Sequence, residues 1–519
     1  MKEDITLTLL PEEAADDILI SKKIKEALGI PQSQTIYHRI IRRSIDARKN
    51  PVKVNLSVSV SDNPVDFNRL ETTREYKKVK SDAHPLVIVG AGPAGLFAAL
   101  KAIELGYKPV VIERGVDVDQ RRKDIALISK KGEVNRESNF CFGEGGAGTF
   151  SDGKLYTRSK KRGNNREILE ILYQFGAPED ILIDSHPHIG TDKLSVIIKN
   201  IRNKIIECGG EVKFGCKMEK IIIQNGRAIG VQTSQSEKIE GPVFLAIGHS
   251  ARDTYRSLAE EGVTMEPKAL AIGVRLEHPQ ELIDKIQYHN KNGRGAWLPP
   301  AEYSFVSQSD GRGVYTFCMC PGGVIVPAVS DKNQIVVNGM SSSSRTSKWA
   351  NSGYVVEIHP GDISGFERRG LFEMMEIQET LERKFSEESG NKLNAPAQRI
   401  SDFLRDKKSN TLPSTSYAPG IHSTDFTTIF PKEISKRLKE GLKDIGKKCK
   451  EFISEKGVMI GLESRTSSPI RIPRNPETLS HIDIKDLYPM GEGAGYAGGI
   501  VSSAIDGMRC IESFHNKRE

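Results

Sequence analysis

Residues 88–95 read IVGAGPAG, and the fold follows from how this stretch is flanked. Ahead of it lies the apolar run Leu86–Val89; behind it come an Ala/Leu-rich segment and a second apolar run, KPVVIE, at 108–113. Strand, glycine turn, helix and strand make the βαβ unit of a doubly wound parallel sheet. Gly90, Gly92 and Gly95 keep the G-x-G-x-x-G spacing at the strand–helix junction. Gly90 allows the tight turn, Gly92 lets the backbone approach a diphosphate, and Gly95 lets helix and strand pack closely. Pro93 and Ala94 open the helix, whose unpaired N–H groups and dipole favour a bound diphosphate. Glu113, with Arg114 after it, ends the second strand where a carboxylate can accept hydrogen bonds from a ribose.

A grip of this kind suits FAD and NAD alike. A second glycine-rich loop, YPMGEGAGYAGGI at 488–500, separates them. It follows a short buried strand expected in DLYPMGE and leads into a helix expected over GGIVSSAIDGMRCIESF. NAD needs no second contact from the far end of the chain, whereas the longer FAD needs one for its ribityl chain and isoalloxazine. The arrangement resembles the glutathione-reductase-like class of two-dinucleotide-binding-domain flavoproteins, over roughly 84–265 and 476–519. That resemblance implies Gly491 and Glu492 along the ribityl chain and Gly498, Gly499 and Ile500 near the ring. Glu492 stands where the class more often has Asp. A helix N-terminus beside the flavin N1–C2=O edge would stabilise the anionic reduced form. The strand PVFLAIG, ending at Gly248, matches a third landmark of the class.

A further glycine-rich segment, NFCFGEGGAGTFSDGKL at 139–155, resembles loops that run beside the flavin in fumarate-reductase-like enzymes. Gly145, Gly146, Gly148 and Thr149 are its candidate backbone contacts, and Met218 joins the expected cofactor residues. Together with AIGHSARD, FCMCPGG and GLESRTSSP, this segment is similar to the bacterial family known as FAD-dependent, or NAD(FAD)-utilizing, dehydrogenases. The resemblance runs over nearly the whole chain. It implies non-covalent FAD, hydride transfer to or from flavin N5, NADH or NADPH as a candidate reductant, and an unidentified small-molecule substrate.

The 519 residues allow two to four domains. Residues 1–82 read as a small α/β unit and linker. Residues 83–265 and 476–519 read as a Rossmann-like FAD-binding domain with a β-meander closed by an Asn225-Gly226 turn, and 266–475 as an inserted α+β substrate or cap domain. Helices are expected over 14–28, 35–48, 370–388 and 431–455. No apolar run approaches a membrane span, and the acidic N-terminus is unlike a signal peptide, so a cytoplasmic protein without a membrane partner is expected. Seven scattered cysteines form neither a disulfide framework nor a CxxC metal pattern. A net charge of +7 permits an anionic ligand without demanding nucleic acid.

Candidate catalytic residues are His249, able to act as acid or base near neutral pH, Arg465 and Cys318. Arg465 with Arg471 and Arg474 forms a sequence cluster that could clamp a carboxylate or phosphate, or simply face water. Cys318 and Cys320 fall on one face of an expected strand and read best as small buried apolar residues. His186 and His188 resemble a metal pair only superficially; no metal is expected. An alternative function rests on TIYHRIIRRSIDARKNPVK, read as a helix with Ile36, Ile40 and Ile41 on one side. Arg39, Arg42, Arg43, Arg48 and Lys49 would then face water, where a flavoprotein acting on RNA could grip it, although solvated charge is the default.

Overall fold

The computed structural model describes residues 2–67, 74–156 and 163–518. Its centre is a five-stranded parallel sheet in the order Leu487–Pro489, Val243–Leu245, Pro85–Val89, Lys108–Ile112, Glu211–Lys213. The strand just before the second glycine loop therefore lies two places from the strand before the first. Both faces of the inner strands of such a sheet are buried, so those strands are continuous apolar runs, whereas the edge strand Glu211–Lys213 is half-exposed. Leu86, Ile88, Val111 and Phe244 pack on one core and Val87, Val110, Val243 and Leu245 on another. The helix Pro93–Glu104 and the C-terminal helix Ile500–Asn516 pack against each other over the first of these.

The expected meander divides in two. Its first strand, Glu211–Lys213, joins the parallel sheet, while Met218–Gln224, Arg227–Thr233 and Lys238–Glu240 form a separate antiparallel sheet. Asn225 and Gly226, at φ 51° and 69°, make the left-handed turn that their pairing announces. A seven-stranded mixed sheet holds most of the strands between 270 and 463, covered by the helices Glu373–Glu388 and Lys432–Lys448. In it, Arg312–Cys320 pairs with Trp349–Ile358, but the register shifts between Phe317 and Cys320 and Cys318 sits at φ 45°. This bulge corrects the expectation that Cys318 and Cys320 simply share a strand face.

The N-terminal unit is a three-stranded antiparallel sheet, Lys2–Leu9, Lys53–Ser61, Tyr37–Asp46, backed by the helix Asp17–Leu28. Asp16 caps that helix by accepting from the N–H of Ile18 at 2.8 Å. The helix expected over 35–48 is thus a strand. Tyr37, Ile40, Ile41 and Ile45 are β-formers, and a register shift between Ile40 and Arg42 spoils the strict alternation that would have revealed the strand. Nor do its arginines all face open water. Arg43 pairs with Asp184 at 2.7 Å and Asp180 at 2.9 Å, and Arg39 lies 3.4 Å from Glu179. These residues dock the unit onto the segment 179–185. The linker expected after residue 60 includes 68–73, which lie outside the described residues.

Candidate functional site

The three glycine-rich segments meet at one cavity of roughly 670 Å³. At the first, Gly90 has φ 108°, and a Cβ there would lie 2.4 Å from the Ala246 carbonyl oxygen; a Cβ on Gly95 would lie 1.9 Å from the Gly90 oxygen. Gly95 accordingly stands behind the wall, while Gly90, Gly92, Pro93 and Ala94 line it. Gly92 is the N-cap of the helix Pro93–Glu104, so that helix presents its N-terminus to the cavity.

Glu113 is buried and also lines the cavity. It accepts hydrogen bonds from the N–H groups of Ala91 at 2.9 Å, Gly115 at 2.9 Å and Gly143 at 3.0 Å, joining the first glycine loop to the third. A carboxylate has roughly four acceptor sites, which leaves about one for a ribose hydroxyl. Arg114 lines the cavity as well, fixed by Glu137 and Asp253.

The third segment is shaped by a residue that sequence reasoning missed. Arg121 is fully buried, and its guanidinium donates to the carbonyls of Asn139, Phe140, Gly143, Glu144 and Gly146 at 2.8–3.2 Å. Burial lowers its pKa to about 10, with Glu113 opposing, so it is charged at neutral pH. Gly146 and Gly148 reach the cavity wall; Gly145 and Thr149 lie behind it, Gly145 donating to the Ala91 carbonyl at 2.8 Å. A Cβ on Gly92 would lie 3.8 Å from the Gly146 Cα, and one on Gly148 would lie 2.9 Å from Ile500 Cγ1. Third and first loops are thus in contact, and third and second as well.

At the second loop, Gly491 stands behind the wall, its N–H donated to Asp506 at 2.8 Å, while Glu492, Gly498, Gly499 and Ile500 line the cavity. Gly499 caps the C-terminal helix, bringing a second helix N-terminus to the same cavity. The helices approach closely because residue 507 is glycine: a Cβ there would lie 2.1 Å from the Ala94 carbonyl oxygen. Asp506 is held by Arg474, and Tyr255 ties the two turns by donating to the Gly493 carbonyl at 2.7 Å and the Gly248 carbonyl at 3.2 Å. Gly248 and Met218 complete the expected cavity residues. The Glu492 carboxylate has no hydrogen-bond partner among the described residues, and burial pushes its pKa up to about 7 against the pull of Lys268. An unpaired carboxylate on a cavity wall fits a ligand bearing hydroxyls.

His249, Arg465 and Cys318 also line the cavity, in roles that differ from expectation. Burial, then the Arg465 and Arg252 charges, lower the His249 pKa to about 4. The imidazole is therefore neutral at pH 7. Arg465 is neither solvated nor part of an arginine cluster. It pairs with Glu382 at 2.9 Å and donates to Ser330 at 2.7 Å and Gln334 at 2.9 Å, while Arg474 pairs with Asp506 and Arg471 reaches Glu266. Arg252 completes the Glu382 pair from the other side at 2.8 Å. His186 lies against Tyr156, ring centroids 4.8 Å apart and tilted by 49°, and 3.6 Å from Glu302, all three on the cavity wall, and no cluster among the described residues could hold a metal ion.

Residues 269–466 match the family model described as FAD-dependent protein, C-terminal domain-like, and residues 1–61 match a domain of unknown function. An uncharacterized protein of Clostridium beijerinckii is 42% identical over 97% of this chain and 97% of its own length. The chain belongs to the same family as that protein. FAD, the cofactor read from the glycine loops, is the one named in the description of the model that residues 269–466 match. Among solved structures, a geranylgeranyl bacteriochlorophyll reductase-like protein of Thermoplasma acidophilum aligns at TM-score 0.34 and 12% identity, covering 84% of this chain and 79% of that one. An oxidoreductase of Methanosarcina mazei aligns at 0.32 and 13%, covering 82% and 100%. At scores this low neither likeness says more about the family. No helix among the described residues is long and apolar enough to cross a membrane.

Proposed function

We propose that the chain holds FAD non-covalently in this cavity and works as an FAD-dependent oxidoreductase on a small molecule that enters beside it. The observation that supports this most is the meeting of two helix N-termini and three glycine loops on one cavity. The N-terminus at Pro93 would take the diphosphate, and Glu113 the adenosine ribose. Glu492 would accept from ribityl hydroxyls, which gives its carboxylate the partners it lacks in the protein. The N-terminus at Ile500 would lie beside the electron-rich edge of the isoalloxazine and favour negative charge there. When bound, the flavin supplies a hydride acceptor or donor at N5. His249 offers a neutral hydrogen-bonding ring, and the Glu382 network holds Arg465 still behind it.

The substrate would then lie between the third loop and the strand Arg312–Cys320, whose residues Tyr315, Thr316 and Phe317 line the facing wall. Positioning of that molecule against the ring, with exclusion of water, is the catalytic contribution expected of the chain. The test is an absorption spectrum of the purified full chain, then anaerobic addition of NADH or NADPH. A flavin spectrum whose chromophore is released by acid and bleached by one nicotinamide is expected. A colourless protein that takes up no FAD on reconstitution would overturn the reading.

A further inference from the structure

The bulge at the end of the strand Arg312–Cys320 falls at its two cysteines. Residues i and i+2 of an unbroken strand are separated by two rises of about 3.3 Å, whereas a disulfide needs Cβ atoms roughly 3.5–4.5 Å apart. Cys318 abandons the strand conformation for φ 45°, a strained value for a residue other than glycine, and such strain gathers at functional sites. The ladder to Trp349–Ile358 resumes only at Cys320. Cys318 lines the cavity together with Glu492 and Glu463, and Cys320 is fully buried just behind it, its sulfur 3.5 Å from the Cys318 carbonyl.

The surroundings are polar, which does not suit two cysteines serving as small apolar filler. The fully buried Arg275 guanidinium lies 3.5 Å from the Cys320 sulfur, donates to the Cys318 carbonyl, and pairs with Glu463 at 3.0 Å. Asn351 and Gly339 close the slot: a Cβ on Gly339 would lie 2.6 Å from that sulfur. Cys320 and then Arg275 hold the Cys318 thiol below its ordinary value against burial, and a thiolate is the reactive form.

We propose that Cys318 and Cys320 are a second redox centre, a dithiol that closes to a disulfide while passing two electrons to the oxidised flavin on the neighbouring wall of the cavity. The proposal rests on the FAD reading above. In the step two S–H bonds break and one S–S bond forms; the flavin takes both electrons and one proton, and the second proton passes to water. A small thiol, attacking at Cys318 where it meets the cavity, reopens the pair by exchange, two thiol molecules becoming one disulfide. The substrate class this implies is a thiol–disulfide couple.

The test uses the full-length holoprotein. It is oxidised with diamide or reduced with dithiothreitol, denatured, alkylated with iodoacetamide and mapped by mass. Expected is a peptide holding Cys318 and Cys320 that is alkylated twice after reduction and, after oxidation, is unalkylated and two hydrogens lighter than the free dithiol. Anaerobic dithionite titration of the diamide-oxidised holoprotein, freed of diamide, should consume four electrons per flavin, against two for Cys318→Ser or Cys320→Ser. Yellow protein in which both cysteines remain alkylatable after diamide, or in which wild type and variants consume two electrons alike, sinks the pair and leaves the FAD reading standing. Colourless protein sinks the FAD reading, and the electron path with it.

Discussion

Glu492 is poorly placed for stability and well placed for binding. With its folded pKa raised to about 7, the folded chain holds a proton that the unfolded chain has released, so this group's contribution falls as pH rises from about 4.3 through 7. Glu492→Gln should therefore make the FAD-free protein more stable at pH 8 by roughly 1 kcal/mol, a figure discounted for water in the cavity, and leave it unchanged near pH 4. The same variant should bind FAD about ten-fold more weakly, close to 1.4 kcal/mol. Urea unfolding of apoprotein and flavin fluorescence titration check the two halves; a variant less stable than wild type at pH 8 contradicts the first. Glu492 was legible because a strand end before a glycine turn is a local pattern. Arg121 was not, since its five acceptors are carbonyls 18–25 positions along the chain, which no residue type advertises. His249 was legible as a site residue but not in its protonation, which depends on arginines brought near by folding.

At the scale of elements, the pairing of the two helices at the cavity hangs on Gly507, a position with no motif around it. Gly507→Ala puts a methyl 2.1 Å from the Ala94 carbonyl oxygen and must push the C-terminal helix away from the helix Pro93–Glu104. Overpacking of this kind costs about 1–3 kcal/mol, and here it also separates the two N-termini. Gly499→Ala is the counterpart, because its Cβ meets nothing within 4 Å and its backbone is already extended. The expected outcome is that Gly507→Ala lowers both melting temperature and FAD affinity, whereas Gly499→Ala lowers affinity alone. Equal melting temperatures for all three proteins would show that the helix contact has been misjudged. The inner strands of the parallel sheet could be read because burial on both faces makes them apolar. Tyr37–Asp46 could not, because Ile36 and Ile40 mimic a helical period and the bulge beside Ile40 hides the strand's own.

Across the whole molecule, a buried carboxylate helps join the parallel sheet to the seven-stranded sheet. Glu382, on the helix Glu373–Glu388, receives Arg252 from the start of the helix Arg252–Glu260 and Arg465 from the segment after Val458–Glu463, with Ser464 donating at 2.7 Å. The arginines are distant in sequence from Glu382, which is why Arg465 read as one of three arginines that could clamp an anion or face water. The two guanidinium groups hold the Glu382 carboxyl well below the ordinary carboxylate range despite its burial. A depressed folded pKa gives stability that is fully present above the unfolded value, about 4.3, and drains away as pH falls beneath it. Glu382→Gln removes the charge but keeps the shape, leaving two buried guanidinium groups without a counter-ion, a loss of about 3–5 kcal/mol. Urea unfolding at pH 7 should show that loss, and the gap between wild type and variant should narrow as the pH is taken from 6 towards 3. FAD retention should fall with stability, because Arg465 lines the cavity beside His249 and Arg252 shares its carboxylate. A gap smaller than about 1 kcal/mol at pH 7 would place the pair among interactions no stronger than exposed ion pairs, and the joint between the sheets would have to lie elsewhere.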